Sequence, residues 1–247
     1  MSSFKVVSSK LAAEIDQELM GPVVGFTLQQ LMELAGLSVA QAVSTEFPVT
    51  KIYKDKSVLI IAGPGNNGGD GLVCARHLKL FGYNPVVYYP KRSNRTEFYG
   101  QLVNQLKFFE IPVLSEKDNW LEYLNPEKTL CIVDAIFGFS FKPPIREPFN
   151  SILNKLANVD DKILIVSVDI PSGWDVDQGP ITGGNINPSV LVSMTVPKPC
   201  SAYIDGTKTS HYVGGRFIPT VFAKKYGFER FNYEGVSQIL KLRNSSN

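Results

Sequence analysis

The string Gly63-Pro64-Gly65-Asn66-Asn67-Gly68-Gly69-Asp70-Gly71 constrains this chain more than any other feature, because it follows directly on the aliphatic run at 57–62. A short buried strand that empties into a glycine turn and then into a helical pattern is the opening unit of a parallel sheet. The alternation continues: a helix to about Phe81 stopped by Gly82, a strand at 86–89, a helix at 98–109, a strand at 130–133, a helix at 149–157 and a strand at 163–168. A further strand is expected at 190–196 and a terminal helix at 219–226. Strands at this spacing with intervening helices predict an α/β fold with a doubly wound, mostly parallel sheet.

Upstream, Leu11, Ile15 and Leu19 recur every fourth residue, and a second helical pattern runs from Leu28 to Val43. Thr27 with Gln30 forms a capping box at its start. No repeat, Ser/Gly linker or composition break divides the chain. It reads as one domain over 1–247, with a helical arm at about 8–45 and an α/β core at about 57–226.

Composition excludes several roles. Lys+Arg 25 against Asp+Glu 23 leaves +2, too little for sequence-independent attraction to nucleic acid or anionic membranes. The apolar runs fall far short of the roughly 20 residues of a membrane helix. Cys74, Cys131 and Cys200 are far apart and odd in number, which argues against a disulfide framework and a zinc site. The N-terminal segment fits neither a secretory signal nor an acid-poor presequence, so a reduced intracellular compartment is expected.

In an open parallel sheet, ligands bind beyond the carboxyl ends of the strands where strand order reverses. Gly63-x-Gly65-x-x-Gly68 matches a dinucleotide fingerprint, in which backbone N–H groups at a helix start approach a pyrophosphate; a ligand-free glycine turn reads the same string equally well. On the first reading a Cβ at Gly68 is expected to crowd the ligand or the backbone conformation the turn requires, and Gly68→Val to abolish binding in a protein that stays folded. The second strand ends Tyr88-Tyr89-Pro90-Lys91-Arg92, with no acid for a ribose hydroxyl, which disfavours a standard nicotinamide dehydrogenase. No Lys-Ser/Thr follows the glycines, so a P-loop is excluded.

Asn67, Asp134 and Ser172 are expected at neighbouring strand ends, an oxygen cage with one negative charge that suits a hard, weakly held cation. The same residues also read as a capping Asp134 and a Ser172 closing a Pro-Ser-Gly turn. Asp169, directly after an apolar strand and before Ile170-Pro171, stands where a carboxylate is partly desolvated and acts as acid or base, although turn capping would also place it there. The loop from Gly138 to Pro144 offers backbone donors and Lys142 to a diphosphate. His77 and His211, the only histidines, read as packed or surface residues, and Trp174, Tyr88 and Tyr89 as ring-facing or core aromatics.

Gly63–Gly71, Val133-Asp-Ala-Ile-Phe-Gly138 and Val168-Asp-Ile-Pro-Ser-Gly-Trp-Asp175 together resemble the NAD(P)HX epimerase family, also called the YjeF N-terminal domain family, over roughly Leu11 to Tyr226. The resemblance implies a Rossmann-like domain with helices on both faces of the sheet. It implies an isomerase that interconverts the R and S epimers of hydrated NADH and NADPH (NADHX and NADPHX), which carry a hydroxyl at C6 of the reduced nicotinamide ring. It further implies one potassium ion per subunit held by Asn67, Asp134 and Ser172; since inverting that carbon needs proton transfer on its hydroxyl, Asp169 is the expected catalytic group. Substrate contacts are implied at Asn66, Asn67, Gly68, Gly69, Asp70, Gly138, Phe139, Ser140, Phe141, Lys142, Pro143, Pro144 and Asp169. Finally, it implies a homodimer, functional pairing with a separate NAD(P)HX dehydratase, and the cytoplasm or mitochondrion as its place. The alternative from the same fold is a non-catalytic dimerisation or RNA- or protein-binding module.

Overall fold

A computed structural model describes residues 5–50, 55–181 and 185–242. In it, β1 (Ser57–Ala62) is the strand on which the fold is built. Its Val58, Ile60 and Ala62 point into one apolar cluster and its Leu59 and Ile61 into another, so both faces of the sheet are covered. Three further parallel strands stand on or near it: β2 (Asn84–Tyr88), β3 (Val113–Leu114) and β4 (Thr129–Ala135). The sheet continues through β5 (Leu164–Val168), β6 (Val190–Met194), β7 (Ser210–Gly214) and β8 (Ile239–Lys241). The strand order is β3-β2-β1-β4-β5-β6-β7-β8, parallel except for the β7–β8 pair.

The order reverses between β1 and β4, which are direct neighbours. This switch point opens the crevice in which doubly wound sheets bind ligands. The helices follow the sequence pattern: α1 (Ser9–Leu19), α2 (Leu28–Glu46), α3 (Asn66–Leu80), α4 (Glu97–Phe108), α5 (Phe149–Leu156) and α6 (Thr220–Lys225). The capping box at Thr27 and Gln30 is formed, with both reciprocal hydrogen bonds. Residues of α2, α3 and α4 fill the cluster on one face, and α5 fills the other with Phe149, Ile152, Leu153 and Leu156. The N-terminal α1 packs its Ala12, Ile15 and Leu19 against Val196 and against Phe222 and Ala223 of α6.

Three strands lie outside the expected pattern. β3 is two residues long, too short for any periodicity, and β7 opens on a half-buried Ser210 and buries His211, which read as polar. β8 carries the sheet to Lys241, past the expected edge of the core at about 226. The strand expected at 190–196 stops at Met194, because Thr195 turns left-handed at φ 65°.

Candidate active site

The glycines that open α3 differ in what they do. A Cβ on Gly63 would stand 1.9 Å from the carbonyl oxygen of Ile136, and one on Gly68 would stand 1.8 Å from the carbonyl oxygen of Gly63. These two residues let the loop after β1, the loop after β4 and the first turn of α3 pack backbone to backbone. Gly68 therefore faces the strand end, and neither it nor Gly69, which abuts Met32, lines the cleft. Of the two obstacles expected for a side chain at Gly68, the structure shows the backbone one: a Cβ there would collide with Gly63, and the expectation that it would crowd a ligand is corrected.

Asn66, Asn67 and Asp70 of the same turn do line a cleft of about 410 Å³, together with Gly138, Phe139, Ser140, Phe141, Lys142 and Asp169. Pro143 and Pro144 are exposed and do not line it. The first N–H groups of α3 have no intrahelical acceptor and sit at the positive end of the helix. Tyr99 of α4 fixes the neighbouring side chain by donating its hydroxyl to Asn66 Oδ1 at 2.6 Å. Phe137 and Phe141 stack at 4.4 Å, which stiffens the loop after β4.

Asp169 stands at the floor, 4% exposed, in the left-handed region at φ 65°. Its N–H donates to Val192 O at 2.8 Å and the N–H of Ile170 closes on Val168 O at 2.8 Å, which pins the turn. Each carboxylate oxygen has partners. Oδ2 accepts from the N–H of Phe139 at 3.1 Å, and Oδ1 accepts from the N–H of Met194 at 3.3 Å and from Lys198 Nζ at 2.5 Å. Lys198 is itself buried, donates also to Met194 O at 2.8 Å, and lies 5.4 Å from the ring centroid of Phe139.

Two further carboxyls face the same space. Burial pushes Asp16 of α1 up to about 6, with Lys198 opposing the rise and Asp169 adding to it. Burial also drives Asp70 well above the ordinary carboxylate range, and the negative charges of Asp169 and Asp16 reinforce it. The exposed Arg95 and Lys142 supply positive charge at the rim.

Asp134 and Ser172 lie outside the cleft, fully buried beneath the loop after β4. Asp134 Oδ2 accepts from Ser167 Oγ at 2.9 Å and from the N–H of Ser172 at 2.8 Å, and Oδ1 is 3.4 Å from the N–H of Ile136. Burial raises its pKa against these hydrogen bonds, which lower it. No lysine or arginine pairs with it among the described residues. Ser172 Oγ accepts from the N–H of Phe137 at 2.9 Å, and the buried Asn67 Nδ2 has no hydrogen-bond partner.

Lys198, Asp16 and Arg95 escaped the sequence reading. Lys198 had one available signal: a lysine set between Pro197 and Pro199 just after a strand, at the edge where ligands bind. Asp16 and Arg95 carried none, since each is one polar residue among several in its segment. The aromatics divide as core: Tyr88 stacks on Trp120 at 4.9 Å, Ser93 N–H donates to the Tyr89 hydroxyl, and Trp174 donates to Ile186 O at 3.0 Å. His77 pairs with Glu33 and His211 with Ser193, both away from the cleft.

Residues 28–200 match the family model described as YjeF-related protein N-terminus. The chain belongs to this family. Family members with curated names lie close in sequence. The chain is 72% identical to an NAD(P)H-hydrate epimerase of Saccharomyces cerevisiae, over 98% of this chain and 100% of the relative. It is 48% identical to one of Candida albicans, over 97% and 98%. A Schizosaccharomyces pombe protein of the same name is 47% identical over 98% and 97%. In structure, the chain resembles the crystal structure of yeast ynu0 with a TM-score of 0.94 at 72% identity, covering 96% of this chain and 100% of that one. The family's Rossmann-like α/β fold is thus the one described above. No helix among the described residues is long and apolar enough to cross a membrane.

Proposed function

We propose that this chain is an NAD(P)H-hydrate epimerase, an isomerase that interconverts the R and S epimers of NADHX and NADPHX in the cleft at the switch point. The observation that carries this reading is the buried Asp169 carboxylate, ion-paired yet lining the cleft, at the carboxyl edge of the sheet. Full-length identity of 72% to a curated epimerase supports it. Inverting a carbon that bears a hydroxyl and a ring nitrogen requires proton transfer on that hydroxyl, and Asp169 is the group assigned to it. The diphosphate is assigned to the first N–H groups of α3, from Asn66 onward, and to Lys142 and the donors of the Gly138 loop. The apolar wall formed by Met32, Phe139 and Val196 suits the nicotinamide ring.

One potassium ion is proposed at Asn67, Asp134 and Ser172. Their chemistry fits: a buried carboxylate with no basic partner among the described residues, a serine oxygen, and an amide with one unpaired buried atom whose O and N are interchangeable by rotation. The ion would supply positive charge to offset Asp134 and so tie the loop after β4 to α3. A homodimer, a cytoplasmic or mitochondrial setting and a separate dehydratase that uses the product epimer belong to the same proposal.

The experiment is direct. Purified chain is added to one epimer of NADHX, and the approach to the R/S equilibrium is followed by chromatography. Equilibration well above the buffer rate is expected, and a rate equal to that of buffer would overturn the reading.

A further inference from the structure

Lys198 is more than a counter-ion by its geometry. An ammonium carries three N–H donors. Two are taken, by Asp169 Oδ1 at 2.5 Å and Met194 O at 2.8 Å. The third has no oxygen or nitrogen acceptor on the protein among the described residues, and Lys198 lines the cleft beside Asp169. A proton donor and a proton acceptor thus stand in contact on one wall of the cavity. The reacting unit of the proposed substrate has matching chemistry: a hydroxyl oxygen and the ring nitrogen N1, separated only by C6.

We propose that Asp169 and Lys198 form a one-sided acid–base pair that opens the hydrated nicotinamide ring, so that epimerisation passes through an open-chain aldehyde. The proposal rests on the epimerase reading and deepens it. Asp169 takes the proton of the C6 hydroxyl, and the O–H electron pair becomes the second bond of a C6 carbonyl. The C6–N1 bond breaks, its pair goes to N1, and Lys198 gives N1 a proton. Rotation about C5–C6 turns the other face of the aldehyde toward N1. In the return step N1 adds to C6 and gives its proton back to Lys198, while the carbonyl oxygen recovers a proton from protonated Asp169. No atom enters or leaves, and the pair's total charge is the same in both states, which a buried site favours.

The competing route loses hydroxide to a cationic iminium ring and readmits water on the opposite face. It needs proton transfer on both faces and places a cation beside the Lys198 ammonium. The observed pair serves one face.

Substrate labelled with oxygen-18 at the C6 hydroxyl, epimerised by the wild-type chain in ordinary water and sampled early, is expected to yield the opposite epimer with its label retained. Loss of the label at every turnover would overturn the proposal. In parallel, Lys198→Met is expected to lower kcat by roughly 10²–10⁴, the range of a positioned acid. Lys198→Arg preserves charge and pairing but holds its protons too tightly to donate them, so it is expected to leave kcat depressed. Wild-type turnover by either variant would overturn the role of Lys198. A wild-type chain inactive in the same assay would instead remove the epimerase reading itself.

Discussion

Asp169 is held where few side chains rest. A non-glycine residue in the left-handed region costs on the order of 1–3 kcal/mol, and here the next strand repeats the device at Thr195, also with φ 65°. Each turn is closed by a hydrogen bond across two residues, Ile170 N–H to Val168 O and Val196 N–H to Met194 O. The strain turns the Asp169 carboxylate from the sheet into the cleft. Asp16 shows a related conflict between stability and the site. Its pKa in the folded chain is about 6 against an ordinary 3.8, so the folded state holds that proton more tightly than the unfolded one. Ionising Asp16 therefore costs folding free energy; the cost grows from about pH 4 and is complete above about 6. Asp16→Asn should raise the melting temperature at pH 8 and leave it nearly unchanged at pH 4. Thermal melts of both proteins at the two values check this, and an equal effect at both would show that burial of the charge is not the cause.

At the scale of elements, the turn from β1 into α3 joins fold and site. Gly68 packs on the backbone of Gly63, so Gly68→Ala must push the helix away from the strand end. Overpacking of this kind costs about 1–3 kcal/mol, which in a chain of this size lowers Tm by roughly 2–4 °C per kcal/mol. Calorimetry should find the loss in the apo protein, before any ligand is added; unchanged Tm would return Gly68 to the ligand side. The sequence announced β1, α3 and the strands that follow because buried parallel strands are unbroken aliphatic runs with glycine or proline at their ends. It could not announce β3, β7 or β8, whose residues lack that pattern and pair only because the sheet is already there. Site residues divide the same way. Asp134, Asp169 and Ser172 stand beside strand ends and were legible from position. Asp16 and Lys198 reach the cleft from α1 and from the segment after β6, a tertiary meeting that no local spacing encodes.

For the whole molecule, the proposed cation and the proposed chemistry make separate demands. A ligand held only by the folded chain stabilises by mass action, about 2.7 kcal/mol at 100 times its Kd. Tm should therefore be higher in potassium chloride than in tetramethylammonium chloride at equal ionic strength. Asp134→Asn should abolish that difference, and a wild-type chain that melts identically in both salts would leave Asp134 as a buried hydrogen-bond hub alone. In the proposed function the switch-point cleft epimerises hydrated nicotinamide nucleotides through Asp169. Asp169→Asn tests it most directly, because asparagine tolerates the left-handed backbone and keeps the shape while losing the base. The measurement is the rate at which one epimer of NADHX reaches equilibrium with wild type and with the variant, both verified as folded by their melts. A fall of roughly 10²–10⁴ in turnover is expected, and an Asp169→Asn protein that epimerises as fast as wild type would contradict the role of Asp169.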